Sequence, residues 1–190
     1  MSLSLPFLGL SNNHEELFGT NISNQEKAMS ENLPVGSEDW VSSLEIADKV
    51  KAKTIPAKSA SASIKRRLLD RNPNVQILAL KLTDVCIKNC GAHFHNEIVN
   101  KDFFDTITAL GRGTFDGTNP DVRLKALELI QSCAFAFKNK SGMYYSNEIY
   151  QELKREGIKF PKLEHADSLQ NLIETQTVFA VNIGPRMDRQ

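Results

Sequence analysis

Two Asn-Pro pairs, Asn72-Pro73 and Asn119-Pro120, each stand immediately ahead of a run whose apolar residues recur at helical spacing. An Asn side chain can accept from the first free N–H groups of a helix, and proline at the first helical position gives up a donor that would have gone unpaired there. Each pair therefore predicts the start of a long helix, Pro73 to Cys90 and Pro120 to Lys138. No run of β-branched or aromatic residues alternates with period two between Phe18 and about Leu163, so the expected fold class is all-α.

Weaker signals fill in the remaining elements. Asn21 to Glu31 reads as a short first helix ended by Leu33-Pro34-Val35-Gly36. Ser37 caps a second whose first turn carries Glu38 and Asp39, charges that suit a helix N-terminus, and which runs to about Lys53. A third spans Lys58 to Arg71, and Gly91 closes the fourth. His93 to Val99 and Lys101 to Leu110 follow, the latter ended by Gly111-Arg112-Gly113, and the eighth helix, Tyr145 to Glu156, is capped by Gly157. About eight helices on short connections predict stacked antiparallel neighbours in a bundle or superhelix over residues 18–163, with no fixed-period repeat. Residues 1–17, broken by Pro6 and Gly9, read as a disordered leader. Residues 164–190 form a C-terminal tail, either docked on the bundle through Leu169, Leu172 and Ile173 or loosely ordered.

The charge balance narrows the partners. Lys and Arg number 23 and Asp and Glu also 23, which argues against coating nucleic acid by bulk electrostatics. No stretch reaches the roughly 18 apolar residues of a membrane span, and Met1 to Leu10 lacks a secretory signal's basic start and long apolar centre. Ser2 and the terminal Met187-Asp188-Arg189-Gln190 offer no site for myristoylation or prenylation. The expected compartment is cytosolic, with any membrane contact peripheral. Cys86, Cys90 and Cys133 lie in apolar helical surroundings and read as reduced core thiols.

Helical periodicity separates core from surplus. Val75, Leu78, Ala79, Leu82, Val85, Cys86 and Cys90 share one stripe, with Lys81, Asp84 and Lys88 opposite and Ile77 in the middle of that polar side. Leu124, Ala126, Leu127, Ile130, Cys133, Ala134 and Phe137 make the seventh helix apolar on most of its circumference, as in a buried element. In the second helix Ile46 and Val50 point one way while Trp40 and Leu44 point about 120° or more around the cylinder. Trp40 then either covers a neighbouring helix or forms an exposed anchor with Leu44. The anchor is the expectation adopted, because exposed Trp is costly and concentrates at binding hot spots.

Several stretches, in order, resemble VHS domains. Glu38-Asp39-Trp40 through Leu44-Glu45-Ile46-Ala47-Asp48 to Val50 is similar to their second helix, and Asn72 to Leu82 with Cys86 to Gly91 to their fourth. His93 to Ile98, Asp102-Phe103, and Tyr150 to Pro161 continue the match, the last resembling the Hrs-like subgroup. The resemblance implies a right-handed superhelix of about eight helices at the N-terminus of vesicular-trafficking adaptors, and no enzyme activity or cofactor. In Hrs-like and STAM-like endosomal sorting (ESCRT) proteins it implies weak binding of mono-ubiquitin through the second and fourth helices, on cargo bound for multivesicular bodies. The corresponding residues are Trp40, Leu44, Ile77, Lys81 and Asp84. Other ESCRT subunits are implied as partners only where further C-terminal modules exist. Hrs-like proteins continue into a FYVE zinc finger; no Cys follows Cys133, so these 190 residues hold no such finger, and the expectation is a fragment or a stand-alone VHS protein. Phe103 to Leu110 carries Asp105 and no base, so reading of acidic dileucine signals is not expected.

Rival chemistry is thin. Cys90, His93 and His95 are the one close Cys/His group, short of the four ligands of a zinc site and of the orienting third member a thiol nucleophile needs. Gly113 to Thr118 lacks the Lys-Ser/Thr ending of a phosphate loop. Between Lys49 and Arg71, eight bases face Asp70 alone. They read either as a solvated surface or, through Lys49, Lys51, Lys53, Lys65, Arg66 and Arg67, as a patch for anionic phosphoinositide headgroups on an endosomal membrane.

Overall fold

The computed structural model describes residues 40–115 and 117–162, with side chains from Ser43 onward. The expected first helix, the Ser37 cap, the leader and the tail lie outside the described residues. Within them are seven α-helices and no strand: α1 (Trp40–Lys51), α2 (Ala57–Leu68), α3 (Pro73–Cys90), α4 (Ala92–Ile98), α5 (Lys101–Arg112), α6 (Pro120–Ala136) and α7 (Tyr144–Arg155). The all-α expectation holds.

Both Asn-Pro starts form as the sequence dictates. Asn72 is extended and its side chain accepts from the Asn74 N–H at 3.0 Å, while Asn119 accepts from the Asp121 N–H at 2.8 Å. Asn100, which carries no following proline, caps α5 through the Phe103 N–H at 2.9 Å. The residue before a proline is pushed toward extended backbone, so Asn72 cannot continue α2. α2 ends at Leu68 rather than Arg71, and the Asp70 carboxylate accepts from the Asn72 N–H at 2.9 Å to close the turn. α1 likewise stops at Lys51, since Lys53 takes a left-handed φ of 61°.

One core joins all seven helices. α3 packs against α1, α2, α4 and α6, and α6 in turn against α5 and α7, so α3 and α6 form the centre. Leu80, Leu82, Ile87, Phe94, Phe104, Ile130 and Phe137 are almost wholly enclosed. Two sequence expectations change. Gly111 lies inside α5 instead of closing it: a Cβ there would stand 3.1 Å from Leu127 Cδ2 and 3.2 Å from Ile130 Cδ1, so its missing side chain permits the close approach of α5 to α6. The cap is Gly113, left-handed at φ 73°, whose N–H reaches Ala109 O at 3.0 Å. Leu124 is 47% exposed rather than buried, because it falls on the outer face of α6 with exposed Asp121 and half-buried Lys125 and Glu128, while Val122 and Ala126 face the core.

Candidate interaction surface

α1 divides its apolar residues between two directions. Ile46, Ala47 and Val50 are at most 1% exposed and Ser43 is also buried, whereas Leu44 is 43% exposed beside exposed Glu45 and Asp48. The expectation of a surplus apolar group on α1 therefore holds for Leu44. Trp40 opens the helix four residues earlier, and its side chain lies outside the described residues.

The back of α1 is tied to the end of α3. Cys90 Sγ donates to Ala47 O at 3.3 Å, and the His93 Nε2–H donates to Val50 O at 3.0 Å. Both ties use backbone carbonyls on the buried side, which fixes the rotation of α1 and holds Leu44 outward. Ile77, Lys81, Asp84 and Lys88 line up on α3 as half-buried residues. Asp84 and Lys88 form an ion pair at 2.6 Å, and Ile77 packs partly against the core, leaving less of it free than the helical wheel indicates. Along the α3 axis Asp84 stands about 9 Å and Ile77 about 20 Å before Cys90. Of the three α3 candidates, Asp84 is nearest the tie to α1 and Ile77 the farthest.

The Cys/His group is dispersed by its hydrogen bonds. Cys90 and His93 serve α1, and the buried His95 donates from Nε2 to Ile87 O at 2.7 Å, with its ring 4.9 Å from Phe137. His95 Nδ1 has no hydrogen-bond partner, and burial above all holds the imidazole pKa down at about 4 despite the Ile87 bond. Among the described residues no cluster of three or more His, Cys, Asp or Glu is placed to hold a metal. All three cysteines are free and buried, as expected.

The seam between α5 and α7 is stitched shut by polar side chains. The Tyr145 hydroxyl donates to Asp105, which also pairs with Lys101 at 2.6 Å. Arg112 donates to Glu152 at 2.5 Å and to Glu156 at 2.6 Å. The basic residues at this seam are thus held by the protein's own acids. Nothing in the sequence spacing indicated the Asp105–Tyr145 contact, which spans 40 positions.

The basic residues split into two groups. Lys49 pairs with Glu45 at 2.6 Å, and Lys51 and Lys53 are exposed at the end of α1. Lys65 pairs with Asp102 at 2.5 Å across α2 and α5, Arg66 is exposed and Arg67 half-buried. Lys58, Lys65 and Arg66 line a groove of about 620 Å³ with Lys101 and Leu69; Lys49, Lys51, Lys53 and Arg67 do not. Sequence reasoning missed Leu69, 53% exposed, and Phe115, 41% exposed, since single apolar residues in turns carry no periodic signal.

The described residues thus form an all-helical fold with an outward Leu on α1 and a polar-stitched seam between α5 and α7. The VHS domain model matches residues 18–157, and the chain belongs to the VHS domain family, whose members are non-enzymatic adaptors. It is 49% identical over 140 residues to vacuolar protein sorting-associated protein 27 of Yarrowia lipolytica, covering 74% of this chain and 24% of that protein. The protein of the same name from Mycosarcoma maydis is 48% identical over 141 residues, covering 73% and 15%. That from Saccharomyces cerevisiae is 33% identical over 155 residues, covering 80% and 25%. The fold also matches the crystal structure of the VHS and FYVE tandem domains of Hrs, described as a protein involved in membrane trafficking and signal transduction. There the TM-score is 0.67 at 28% identity, covering 78% of this chain and 64% of that one. The chain spans about a quarter or less of the length of these curated relatives. It is homologous to the VHS domains of the protein 27 and Hrs kind.

Proposed function

We propose that the chain is a ubiquitin-recognition module for endosomal sorting of membrane cargo toward multivesicular bodies. One observation carries the reading: Leu44 is held in solvent on a helix whose other described apolar residues are buried. A Leu in that position, four residues after Trp40, makes a small apolar anchor on a helix face that also carries exposed Glu45 and Asp48. That suits a shallow apolar patch on a folded partner, and not a deep-pocket ligand. Such an anchor supports about 5 kcal/mol, a sub-millimolar constant. The names of the relatives point to vacuolar protein sorting, and the Hrs structure is of a membrane-trafficking protein. Chemical-shift titration of isotope-labelled ubiquitin tests the reading: saturable perturbation that is lost with Leu44→Ser and Trp40→Ala supports it, and unchanged perturbation by both variants refutes the site.

A second reading, peripheral contact with anionic endosomal lipid, is favoured by the groove between α2 and α5. Lys58, Lys65, Arg66 and Lys101 line it with Glu97 and Asp102, Lys65 being paired with Asp102 and Lys101 with Asp105, and each unpaired base near a membrane surface contributes roughly 1 kcal/mol. No described helix is long and apolar enough to cross a membrane, so attachment through this groove would be peripheral. The α1 bases Lys49, Lys51 and Lys53 belong to this reading only as an outer fringe. Co-sedimentation with phosphatidylcholine vesicles, with and without phosphatidylserine, at two salt concentrations tests it; equal binding to both vesicles removes it.

A further inference from the structure

Leu69 and Phe115 stand at the same end of the molecule. Leu69 caps the C-terminus of α2 and Phe115 sits in the turn between α5 and α6, yet both line one cavity of about 480 Å³, together with Arg71 and Gln76. Leu69 also lines the basic groove of Lys58, Lys65, Arg66 and Lys101. It is therefore a ridge between the two hollows, and the surface runs unbroken from the bases of α2 to the Phe115 turn. Two of the five large hydrophobic residues exposed among the described ones meet here.

From this arrangement we infer that Leu69 and Phe115 are a membrane-inserting edge, pressed into the acyl boundary of an anionic bilayer while the neighbouring bases rest on its headgroups. This rests on the lipid reading above and deepens it by naming the apolar contact. Charge complementarity selects the occupant. Five bases, Lys58, Lys65, Arg66, Arg71 and Lys101, line the two hollows against three acids, Glu97, Asp102 and Asp70; Lys65 is paired with Asp102 and Lys101 with Asp105, and the balance around the ridge stays positive. The apolar groups lie exposed on turns, while the hollow between them is lined largely by Asp70, Arg71, Gln76 and Thr118. A bilayer takes apolar tips ringed by cations, and peripheral binding combines inserted apolar area with attraction to anionic lipid. Phe115 lies between Gly113 and Gly117, both at positive φ (73° and 75°), a backbone conformation that glycine adopts without strain.

The test is co-sedimentation of the full chain with vesicles of 70% phosphatidylcholine and 30% phosphatidylserine, proportions of about this order being ordinary for an anionic leaflet, and with phosphatidylcholine alone. The Leu69→Ser/Phe115→Ser variant should lose about tenfold in partitioning onto the anionic vesicles, an amount equivalent to removing about 1.4 kcal/mol. Both positions are exposed, so thermal unfolding should match the parent. In Phe115→Trp, emission above the parent's Trp40 background should shift to the blue on adding anionic vesicles and be quenched by lipids brominated in the acyl chain. Parent binding with no loss in the double variant and no quenching overturns the inserted edge while leaving the lipid reading in place. Absence of parent binding to anionic vesicles overturns both.

Discussion

The Cys90 thiol donates to the Ala47 carbonyl at 3.3 Å, joining the last residue of α3 to the middle of α1. The contact makes a buried sulfur part of the device that holds α1 in its rotation. Cys86 lies one turn before it, and the hydrogen bond its thiol donates to the Cys90 sulfur, with burial, raises the Cys86 pKa well above that of a free thiol. Burial raises Cys133 likewise. A thiol reagent should therefore leave the folded chain unlabelled at pH 8 and modify all three cysteines in guanidinium. Cys90→Ala should cost about 1 kcal/mol in chemical denaturation, from the lost contacts and weak hydrogen bond.

His95 predicts the acid limit of stability. Its imidazole is neutral in the fold, with a pKa lowered to about 4 by burial first and by Lys140 and His93 further, while the unfolded chain takes up the proton near the ordinary value of 6.5. Because the folded pKa is depressed, the stability His95 contributes is intact above pH 6.5 and is lost as pH falls toward 4. The loss should approach roughly 3 kcal/mol at the lower end. Urea unfolding from pH 7 to 4 measures it. His95→Gln, which keeps an N–H donor for Ile87 O, should flatten that part of the profile.

Gly111 and Gly113 should fail in different ways. Gly111→Val places atoms against Leu127 and Ile130, whose side chains already come within 3.1 and 3.2 Å of an added Cβ, so overpacking of α5 on α6 should cost about 2 kcal/mol. Gly113→Ala meets Arg123 only at 3.6 Å but sits at φ 73°, and should cost about 1 kcal/mol through backbone strain. Thermal unfolding of the two variants distinguishes the sizes.

Much of this architecture could be read from single residues. Asn72, Asn119 and the prolines after them fixed the starts of the two central helices because capping is a local interaction. The two directions of α1 followed from helical periodicity alone, and Leu44 is exposed as that predicts. The misreadings of Gly111 and Leu124 are tertiary. Gly111 looked like a terminator because glycine breaks isolated helices, and only the approach of α6 explains it inside α5. Leu124 looked buried because α6 is apolar on most of its circumference, and periodicity does not say which part of that circumference a neighbour covers. The groove at Lys65 and Arg66 and the ridge at Leu69 and Phe115 arise from turns far apart in sequence. No local pattern encodes that meeting.

Leu44→Ser separates binding from folding. A side chain already 43% in solvent contributes little to the core, so the denaturation midpoint should move by less than about 0.5 kcal/mol equivalent. Lys49→Ala, which removes the exposed Glu45 pair at 2.6 Å, should likewise leave stability nearly unchanged. Both variants should keep the parent's circular dichroism, which makes them usable in binding assays without a folding correction.

The central claim is that α1 presents the partner surface. Titrating isotope-labelled ubiquitin with the parent chain, Leu44→Ser, Trp40→Ala and Arg66→Glu/Arg71→Glu measures it most directly. The account predicts fast-exchange shifts with a sub-millimolar constant, on the order of 5 kcal/mol, for the parent and for the charge variant, whose bases lie outside α1 and α3. Leu44→Ser should weaken binding about tenfold and Trp40→Ala should abolish it. Parent-like titrations from both α1 variants, or no shifts with the parent, would contradict the account.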